Sequence, residues 1–428
     1  MSRVEAASLL QLSDEALLEQ VQRQCFSFFW EGADSHSGLA PDRLSIDHSI
    51  DDGPGEVPVT IGGSGFGIMA LIVAVERQWI TRAEGLQQLQ RMLNFLTGAH
   101  TYHGVYSHFM NTRTGETVPL FPKDDGGDLV ETSLLCMGLL CARQYFDRDS
   151  AAEVSARTAI TQIWERVEWS WYTQGGHPVL YWHWSPNFAW DIGHEVRGWN
   201  ECLITYVLAV ASPTQPVDPE LYDLGYAGGR YFRNGASYYG IELPLGVPSG
   251  GSLFFAHYSF CGLDPRGLRD RYADYWQQNL AHVNINRAHC IANPLGHKGY
   301  GPDCWGLTAS DDPTGYVAHA PDNDNGTISP TAALASFPYA PEASMQALRH
   351  FLGVYGDRIW NRYGFVDAFC ESRGWYAQTY LAIDQGPIVV MIENLRSGLL
   401  WKLFMAVPEV RSALRALKFQ SPHLQAGA

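Results

Sequence analysis

Apolar residues recur along most of this chain at intervals of three and four positions, which is the period of an amphipathic helix. Ser13 precedes one such stripe, which includes Leu17 and Val21, and it is therefore expected to cap a helix. Thr81 and Glu84 form a capping box ahead of a second stripe. Strict alternation of apolar and polar residues, which would indicate strands, is scarce. The pattern thus predicts an all-α protein.

The predicted helices differ in how much of their surface is apolar. Residues 129–146 are apolar on nearly every face, as in an inner layer, whereas 151–167 are amphipathic and suit an outer layer. This alternation predicts an (α/α)6 barrel, or toroid, of about twelve helices with long loops. A few short strands are expected, for example at 117–121. The other main helices are predicted at 66–79, 199–211, 252–261, 269–291, 330–337, 341–355 and 387–405.

The domain organisation follows from what is missing between these helices. No Ser/Gly-rich linker and no charge run interrupts the 428 residues, so residues 1–428 are predicted to form a single domain. A helical solenoid of two domains is the competing architecture. No internal repeat of fixed period supports that alternative.

Composition narrows the ligand. Hydrophobic residues make up 46% and charged residues 17% of the chain, which provides a core and argues against disorder. The formal net charge of −16 disfavours nucleic acid, because polyanions would be repelled. Aromatic residues reach 13%, with 14 Trp, and a pyranose presents an apolar C–H face that stacks on a flat ring. A neutral sugar is the favoured ligand, and filling of the core by Trp is the alternative.

The expected location rests on the chain's first residues and its cysteines. The N-terminus shows no basic segment followed by an apolar run, and no run reaches the ~18 apolar residues of a membrane span. The eight cysteines contain no CxxC pair and are expected to be reduced core thiols. These features predict a cytoplasmic protein without a membrane partner. A signal removed from the sequence would make the protein periplasmic instead.

Acidic residues gather at three predicted helix starts. In the first, Asp124, Asp128 and Glu131 precede or begin helix 129–146, where the latter two are three apart and share a face. A D-x-x-E start is also typical of a helix cap, so a cap alone and a cap with a site both stay open. At the third of these helix starts, Asp384 precedes Pro387, which suits a first helical position. A cap is again the alternative.

The second group is Asn200, a natural N-cap, followed by Glu201 in the first helical turn. Indole rings would desolvate the Glu201 carboxyl and raise its pKa, while the helix N-terminus would lower it, and the sequence does not settle the net direction. Nearly half of the tryptophans lie in the preceding stretch: Trp169, Trp171, Trp182, Trp184, Trp190 and Trp199.

These acids suit one kind of chemistry. Glycoside hydrolysis needs two carboxyl groups, and a toroid places the starts of its inner helices around one pocket. No metal or other cofactor is predicted. The run 322–326 imitates a calcium loop, but Ala333 stands at its twelfth position, and the histidines lack ligand spacing. The glycine-rich run 62–67 matches no phosphate-binding motif, and it indicates close helix packing.

Several motifs resemble a known family. I-D-Q-G-P-I-V-V-M-I-E-N at 383–394, G-W-N-E at 198–201 and G-L-T-A-S-D at 306–311 are similar to signatures of the glucoamylase-like bacterial proteins. The closest of these are the β-1,2-glucanases of glycoside hydrolase family 144. The resemblance spans nearly the whole chain. It implies an (α/α)6 barrel that hydrolyses β-1,2-linked glucan or its oligosaccharides with inversion and without a cofactor.

The resemblance also implies roles for individual residues. Glu201 matches the candidate acid and Asp384 a candidate base, while Asp124, Asp128 and Glu131 match an acidic cluster that faces the cleaved bond. Members of the family are usually exported and no export signal is visible here, which favours short oligosaccharides as substrates. Candidate substrate-binding residues are Trp182, Trp184, Trp190, Trp199, His194, Asp311 and Trp375.

Other functions stay open at this point. Glycosyl transfer and phosphorolysis on β-glucosides need similar pockets, and a catalytically silent oligosaccharide-binding protein is a third alternative. A polysaccharide lyase is disfavoured, since an anionic substrate would require a basic cleft. The expected partner is a neutral glucan or gluco-oligosaccharide, and the expected state is a monomer or a weak dimer.

Overall fold

Helices dominate the computed structural model, which describes residues 5–47 and 57–425. The α-helices are α1 (Ala6–Leu9), α2 (Asp14–Trp30), α3 (Ile61–Glu76), α4 (Arg82–Gly98), α5 (Leu129–Tyr145), α6 (Ala151–Glu165), α7 (Leu203–Ala211), α8 (Tyr275–Ala292), α9 (Pro330–Leu334), α10 (Pro341–His350), α11 (Gly356–Ile359), α12 (Ala382–Arg396), α13 (Leu399–Met405) and α14 (Pro408–Ala416). Short 3₁₀ or π turns include Tyr222–Tyr226, Leu253–Ala256, Ser259–Cys261 and Phe351–Tyr355.

The strands are short and pair only in antiparallel ribbons of two. They are β1 (Arg43–Ser45), β2 (Val59–Thr60), β3 (Phe109–Met110), β4 (Gly127–Asp128), β5 (His183–Trp184), β6 (Arg233–Tyr238), β7 (Ile241–Leu245), β8 (Ala309–Asp312), β9 (Gly315–Ala318), β10 (Trp360–Asn361), β11 (Gly364–Phe365), β12 (Phe369–Cys370), β13 (Trp375–Tyr376) and β14 (Thr379–Leu381). β1 pairs with β14, and each other strand pairs with its neighbour in sequence: β2 with β3, β4 with β5, and so on to β12 with β13.

Buried helices alternate along the chain with helices that keep an exposed face. The buried helices are α3, α5, α7, α9 and α12, and the 3₁₀ turns at 253–261 take the sixth inner position. The outer layer is formed by α2, α4, α6, α8 and α10, with the π turn Tyr222–Tyr226 between α7 and the 3₁₀ turns. α3 packs against α5 and α12, α5 against α7, and α12 against α9. The predicted all-α toroid is confirmed.

Glycines let the two most closely packed inner helices approach each other. A Cβ on Gly65 would overlap the carbonyl of Leu134 in α5 and lie 2.7 Å from the Cα of Leu135. Gly138 meets the Gly65 backbone in the same way from the α5 side. The expectation that the glycine-rich run 62–67 serves close packing is therefore confirmed. The run lies inside α3, which begins at Ile61, and does not precede the helix.

Two predicted elements differ from the structure. Residues 252–261 form 3₁₀ turns and not an α-helix, since the Leu253 and Phe254 N–H groups bond to Leu307 and Thr308. Residues 117–121 are not a strand. Thr117 alone bridges to a neighbour there, and the side chains that follow are exposed.

The start of α12 also differs from the prediction. Strand β14 ends at Leu381, and the Ala382 N–H donates to the Asp42 carbonyl at 2.9 Å, so the helix begins there. Pro387 therefore lies inside the helix and not at its first position. Asp384 falls in the first turn.

The predicted helix 387–405 is divided into α12 and α13, with a break at Ser397 and Gly398. The predicted helices 199–211 and 269–291 begin later, at Leu203 and Tyr275. Other sequence features agree with the structure. Ser13 caps α2, and Thr81 and Glu84 form the predicted capping box of α4. All eight cysteines are buried and free. Across residues 5–47 and 57–425, no helix is both long and apolar enough to cross a bilayer.

We predict that Gly65→Ala lowers the free energy of unfolding by about 2–3 kcal/mol, because the added methyl group forces α3 and α5 apart. Gly98→Ala is the matched control, since a Cβ on Gly98 at the end of α4 meets nothing within 4 Å. The control is expected to be unchanged or up to about 1 kcal/mol more stable. Urea unfolding measures both values. Equal stabilities of the two variants would contradict the close approach.

Candidate active site

The starts of the inner helices meet at one mouth of the barrel, where a cavity of about 470 Å³ opens. Thr60, Glu131, Glu201, Phe254 and Ile383 each line this cavity, and each comes from the beginning of a different inner helix or turn. The predicted arrangement of distant acids around one mouth is therefore present for Glu131 and Glu201.

Glu201 lies in a turn just before α7. The Asn200 side-chain oxygen accepts from the Cys202 N–H at 3.0 Å, so Asn200 caps this turn and not the helix, which begins at Leu203. The Ser259 hydroxyl donates to the Glu201 carbonyl and so fixes the turn against the neighbouring inner segment. Glu201 is held outside the helix, with its side chain on the cavity wall.

The Glu201 carboxyl group is suited to exchange a proton at neutral pH. Burial raises its pKa to about 7, its own backbone N–H opposes this rise, and the charges of Glu131 and Asp128 add to it. The net shift of the Glu201 pKa, whose direction the sequence left open, is therefore upward. A general acid works best when its pKa lies near the operating pH.

Asp128 is both a helix cap and part of a charged cluster. Its Oδ1 accepts from the Glu131 N–H at 2.9 Å, which makes Asp128 the N-cap of α5. Its Oδ2 lies 3.3 Å from His108 Nδ1 and 3.5 Å from His183 Nε2. Burial opposes ionisation, but the two imidazoles outweigh it and hold the pKa of Asp128 well below its usual value. Asp128 is therefore a buried anion.

Glu131 shares His108 with Asp128. One Glu131 oxygen lies 3.8 Å from His108 Nε2, and the other accepts from the Gly62 N–H at 2.8 Å. Burial and the charge of Asp128 raise the pKa of Glu131, while His108 lowers it, and the net direction is upward. Burial lowers the pKa of His108, but Glu131 and Asp128 outweigh this effect and raise it to about 10. At neutral pH an imidazolium thus lies between two carboxyl groups.

A second acidic cluster surrounds Asp384. Burial and the charge of Asp367 raise the pKa of Asp384 well above its usual value, and burial and Asp311 raise the pKa of Asp367 to about 7. Two adjacent buried carboxyl groups cannot both ionise readily, so this pair favours sharing a proton. Asp384 is 3% exposed, and its neighbour Ile383 lines the cavity.

Two other predicted site residues are engaged within the protein. Asp311 accepts from Arg43 Nη1 at 2.8 Å and from the Thr379 hydroxyl, so its hydrogen bonds position Arg43. Asp124 is 7% exposed, and burial and the charge of Asp128 raise its pKa. Within the described residues, neither side chain lines the cavity.

The predicted tryptophans do not surround the acids. Trp199 is 2% exposed and packs against Phe260 and Tyr275, so it is a core residue and not a binding residue. Trp375 is half-buried in β13, which pairs with β12. In the described part of the chain, tyrosine and phenylalanine form the aromatic walls of the cavity instead: Phe109, Phe121, Phe254, Tyr258 and Tyr316.

The other predicted binding residues lie on the two faces of the β4–β5 ribbon. Trp182 stacks on His194 with ring centroids 4.9 Å apart, on the side of His183. Trp184 instead contacts Trp171 at 6.0 Å. Trp190 lies with Trp171, at 6.5 Å between centroids. The structure therefore separates the predicted aromatic residues into two groups.

Sequence reasoning missed several cavity residues, including Asp42, Arg43, His108, Tyr258 and Tyr316. Their positions depend on contacts across the barrel, because β1 pairs with β14 and β2 with β3. His108 stands 20 residues before Asp128 in the chain, so no local pattern links the two.

The run 322–326, which resembles the start of a calcium loop, has its Asp324 carboxylate engaged within the protein. Asp324 accepts from the Tyr300 hydroxyl at 2.7 Å and pairs with His289 Nε2 at 2.8 Å. Over the described ranges, no group of three or more His, Cys, Asp or Glu residues is placed to hold a metal ion. The contact between Asp324 and His289 ties the loop to α8.

The fold and the cavity define a helical toroid with acids at its mouth, and comparison with known proteins places this toroid in a family. A family model described as "Putative glucoamylase" matches residues 193–408. The chain is 51% identical to the endo-β-1,2-glucanase from Chitinophaga pinensis, solved with sophorotriose and glucose, with a TM-score of 0.93 over 96% of this chain and 100% of that one. The chain belongs to this glucoamylase-like family, together with the β-1,2-glucanases of glycoside hydrolase family 144.

Relatives from Parabacteroides distasonis are longer. An exo β-1,2-glucooligosaccharide sophorohydrolase (non-reducing end) is 45% identical over 438 residues, which cover 97% of this chain and 60% of that protein. The crystal structure of a β-1,2-glucanase from the same organism is 45% identical, with a TM-score of 0.91, and matches 95% of this chain and 60% of that one. The chain thus spans 60% of the length of the curated relative that it matches.

We predict that His108→Gln lowers the free energy of unfolding by about 3 kcal/mol near pH 6, because it leaves the buried anion Asp128 with one partner fewer. Folding raises the pKa of His108 from 6.5 to about 10, so its contribution is complete below pH 6.5 and is lost as the pH rises through about 10. The deficit of the variant should shrink accordingly. The exposed His36→Gln is the control in the same denaturant titrations. A pH-independent deficit would contradict the ion-pair network.

Proposed function

We propose that this chain hydrolyses β-1,2-linked glucan or its oligosaccharides, with Glu201 as the proton donor. The observation that carries the proposal is the Glu201 carboxyl on the cavity wall, with its pKa raised to about 7. The linkage is supported by relatives at 45–51% identity whose names specify β-1,2-glucan or its oligosaccharides.

The acid step follows from the position of Glu201. Up to a pH of about 7 most of the Glu201 carboxyl groups keep a proton. That proton can pass to the glycosidic oxygen while the bond from that oxygen to the anomeric carbon breaks. Without this proton the leaving sugar would depart as an alkoxide. The nearby charges of Glu131 and Asp128 hold the proton on Glu201, and they would also stabilise the positive charge that develops on the sugar ring.

A second carboxyl group must take a proton from water as the water oxygen attacks the anomeric carbon. Glu131 fits this role, because its side chain lines the cavity and the His108 imidazolium 3.8 Å away partly offsets the burial that raises its pKa. Asp384 is the alternative, but burial beside Asp367 favours its neutral form. We propose Glu131 as the base. Attack on the face opposite the leaving group converts a β-linkage into an α-anomeric product, which is inversion.

The cavity suits a neutral sugar. Aromatic walls offer flat surfaces to pyranose C–H faces, while carboxyl groups and Arg43 offer hydrogen bonds to hydroxyls. Phosphorolysis and glycosyl transfer would bind their sugar substrates against the same cavity walls. Product analysis with and without phosphate separates these reactions, since only phosphorolysis yields a sugar phosphate.

We predict that Glu201→Gln loses about 10³-fold in kcat on β-1,2-glucan while its melting temperature stays within a few degrees of the wild type. The amide preserves shape but carries no acidic proton. Exposed Glu220→Gln is the matched control and should keep full activity. Full activity of Glu201→Gln would refute the assignment, and binding of oligosaccharide without products by the wild type would favour a silent binding protein.

The pH dependence of the wild type provides a second readout of the same acid. Because Glu201 must be protonated, kcat/KM should fall tenfold per pH unit above about 7. The fall should be absent from the residual activity of Glu201→Gln. A flat profile up to pH 9 would be inconsistent with a carboxyl acid of raised pKa.

We predict that Glu131→Gln and Asp384→Asn behave differently. Glu131→Gln should lose about 10²–10⁴-fold in rate and regain activity with azide, which replaces the activated water and yields an α-glycosyl azide. Asp384→Asn should lose less than about tenfold, because an amide mimics a carboxyl group that is already neutral. Azide rescue of Asp384→Asn alone would transfer the base role to Asp384. Product anomers are measured by proton NMR before mutarotation.

A further inference from the structure

A second concave surface lies on the outer side of the β4–β5 ribbon. We call it the tryptophan groove, and its main lining residues are Glu168, Trp171, Gln174, Trp190 and Gln215, around a volume of about 490 Å³. Within the part of the chain that the structure describes, its lining shares no residue with the catalytic cavity. The proposed function does not use it.

The β4–β5 ribbon separates the groove from the charged cluster of Asp128, His108 and His183. In β4–β5, Asp128 pairs with His183 and Gly127 with Trp184. Successive side chains of a strand point to opposite faces, and His183 contacts Asp128 while Trp184 contacts Trp171 at 6.0 Å. A ribbon of two residue pairs therefore separates the two surfaces.

The indole of Trp171 is a fixed and accessible platform. It is 40% exposed, and one face is stacked on the His103 ring at 3.7 Å with an angle of 13°. Trp190 stands 6.5 Å away at 34° and is itself held edge-on by Tyr172 at 5.8 Å. Rigid aromatic surface loses little conformational entropy when a ligand covers it.

The polar groups around this platform are neutral or paired. The Ser170 hydroxyl donates to the Gln215 amide oxygen at 3.1 Å, which leaves the amide N–H groups of Gln215 facing solvent. Glu168, the one charged residue of the described lining, lies 3.0 Å from His103 Nδ1. Hydroxyl, amide and carboxylate groups beside indole rings complement a ligand with many hydroxyls and no net charge.

A protein segment is a poorer fit. The lining consists of Trp, Gln, Glu, Ser, Thr and Gly, and in the described residues it contains no Leu, Ile, Val or Met. Grooves that bind an amphipathic peptide segment need apolar pockets for its anchors. The absence of such pockets leaves stacking and hydrogen bonding, the two interactions that hold a pyranose.

We propose that the tryptophan groove is a second, non-catalytic carbohydrate site that holds a segment of a neutral β-linked gluco-oligosaccharide, with one pyranose stacked on Trp171. The identity of the sugar rests on the proposed function. By binding a distant part of a long chain, the groove keeps that chain at the enzyme between cleavage events. Its effect is therefore confined to substrates long enough to reach it.

The first test counts binding sites. In the inactive Glu201→Gln background, calorimetry with long linear β-1,2-gluco-oligosaccharides should show two sites, and adding Trp171→Ala should remove one. Gln215→Ala gives an independent variant that removes an amide with little packing, and should weaken the same site. Tyr231→Ala is the control, because Tyr231 is also an exposed aromatic residue, at 47%, on a different loop. Unchanged stoichiometry in both groove variants would overturn the proposal.

The second test separates long from short substrates in the otherwise wild-type enzyme. Trp171→Ala should raise KM for long β-1,2-glucan about tenfold, the loss of one ring stacking contact, and leave kcat and the KM for sophorotriose unchanged. An equal change in KM for both substrates would overturn the proposal of a second carbohydrate site.

A panel of β-1,2-, β-1,3-, β-1,4- and α-linked oligosaccharides distinguishes the two proposals. Binding at Trp171 without any hydrolysis would refute the proposed function alone. Hydrolysis of β-1,2-glucan with no sugar bound at Trp171, as would follow if the groove binds protein, would refute the groove alone.

Discussion

The contact on which the site depends is the His108 imidazolium between Asp128 and Glu131. Without the imidazolium, the buried carboxyl groups of Asp128 and Glu131 would lie close together with no cation to offset their lost solvation. The cation holds Asp128 ionised and keeps Glu131 close to it. Burial raises the pKa of Glu201, and the negative charges of Glu131 and Asp128 raise it further.

The toroid makes this arrangement possible by bringing helix starts together. Gly65 and Gly138 let α3 and α5 approach until backbone meets backbone, and Gly62 leaves the room that the Glu131 carboxylate occupies. The N–H of Gly62 then donates to Glu131. One helix therefore contributes both the close packing and the hydrogen bond that orients the acid. Packing and chemistry meet at Gly62, which has no side chain to fill the space of the carboxylate that its N–H binds.

The sequence was sufficient for the alternation of buried and amphipathic helices and for most helix starts, since these depend on local periodicity and capping. Glu201 and Glu131 became site candidates with the help of the family resemblance, because a cap and a catalytic acid look alike at a helix start. Asp128 is such a cap, and it also belongs to the charged cluster around His108. Trp199 was wrongly expected at the pocket, since sequence proximity to Glu201 does not reveal that its indole points into the core. His108 and Asp42 reach the cavity through strand pairings between distant segments, which local patterns do not specify.

The proposed acid role depends most directly on the raised pKa of Glu201, about 7 in the unliganded cavity. Carbon-13 NMR of side-chain carboxyl groups, compared between the wild type and Glu201→Gln across pH 4–9, measures this pKa directly. One resonance is expected to be missing from the variant and to titrate near pH 7 in the wild type. A Glu201 resonance that titrates near 4.5, the ordinary value of a glutamate, would contradict it.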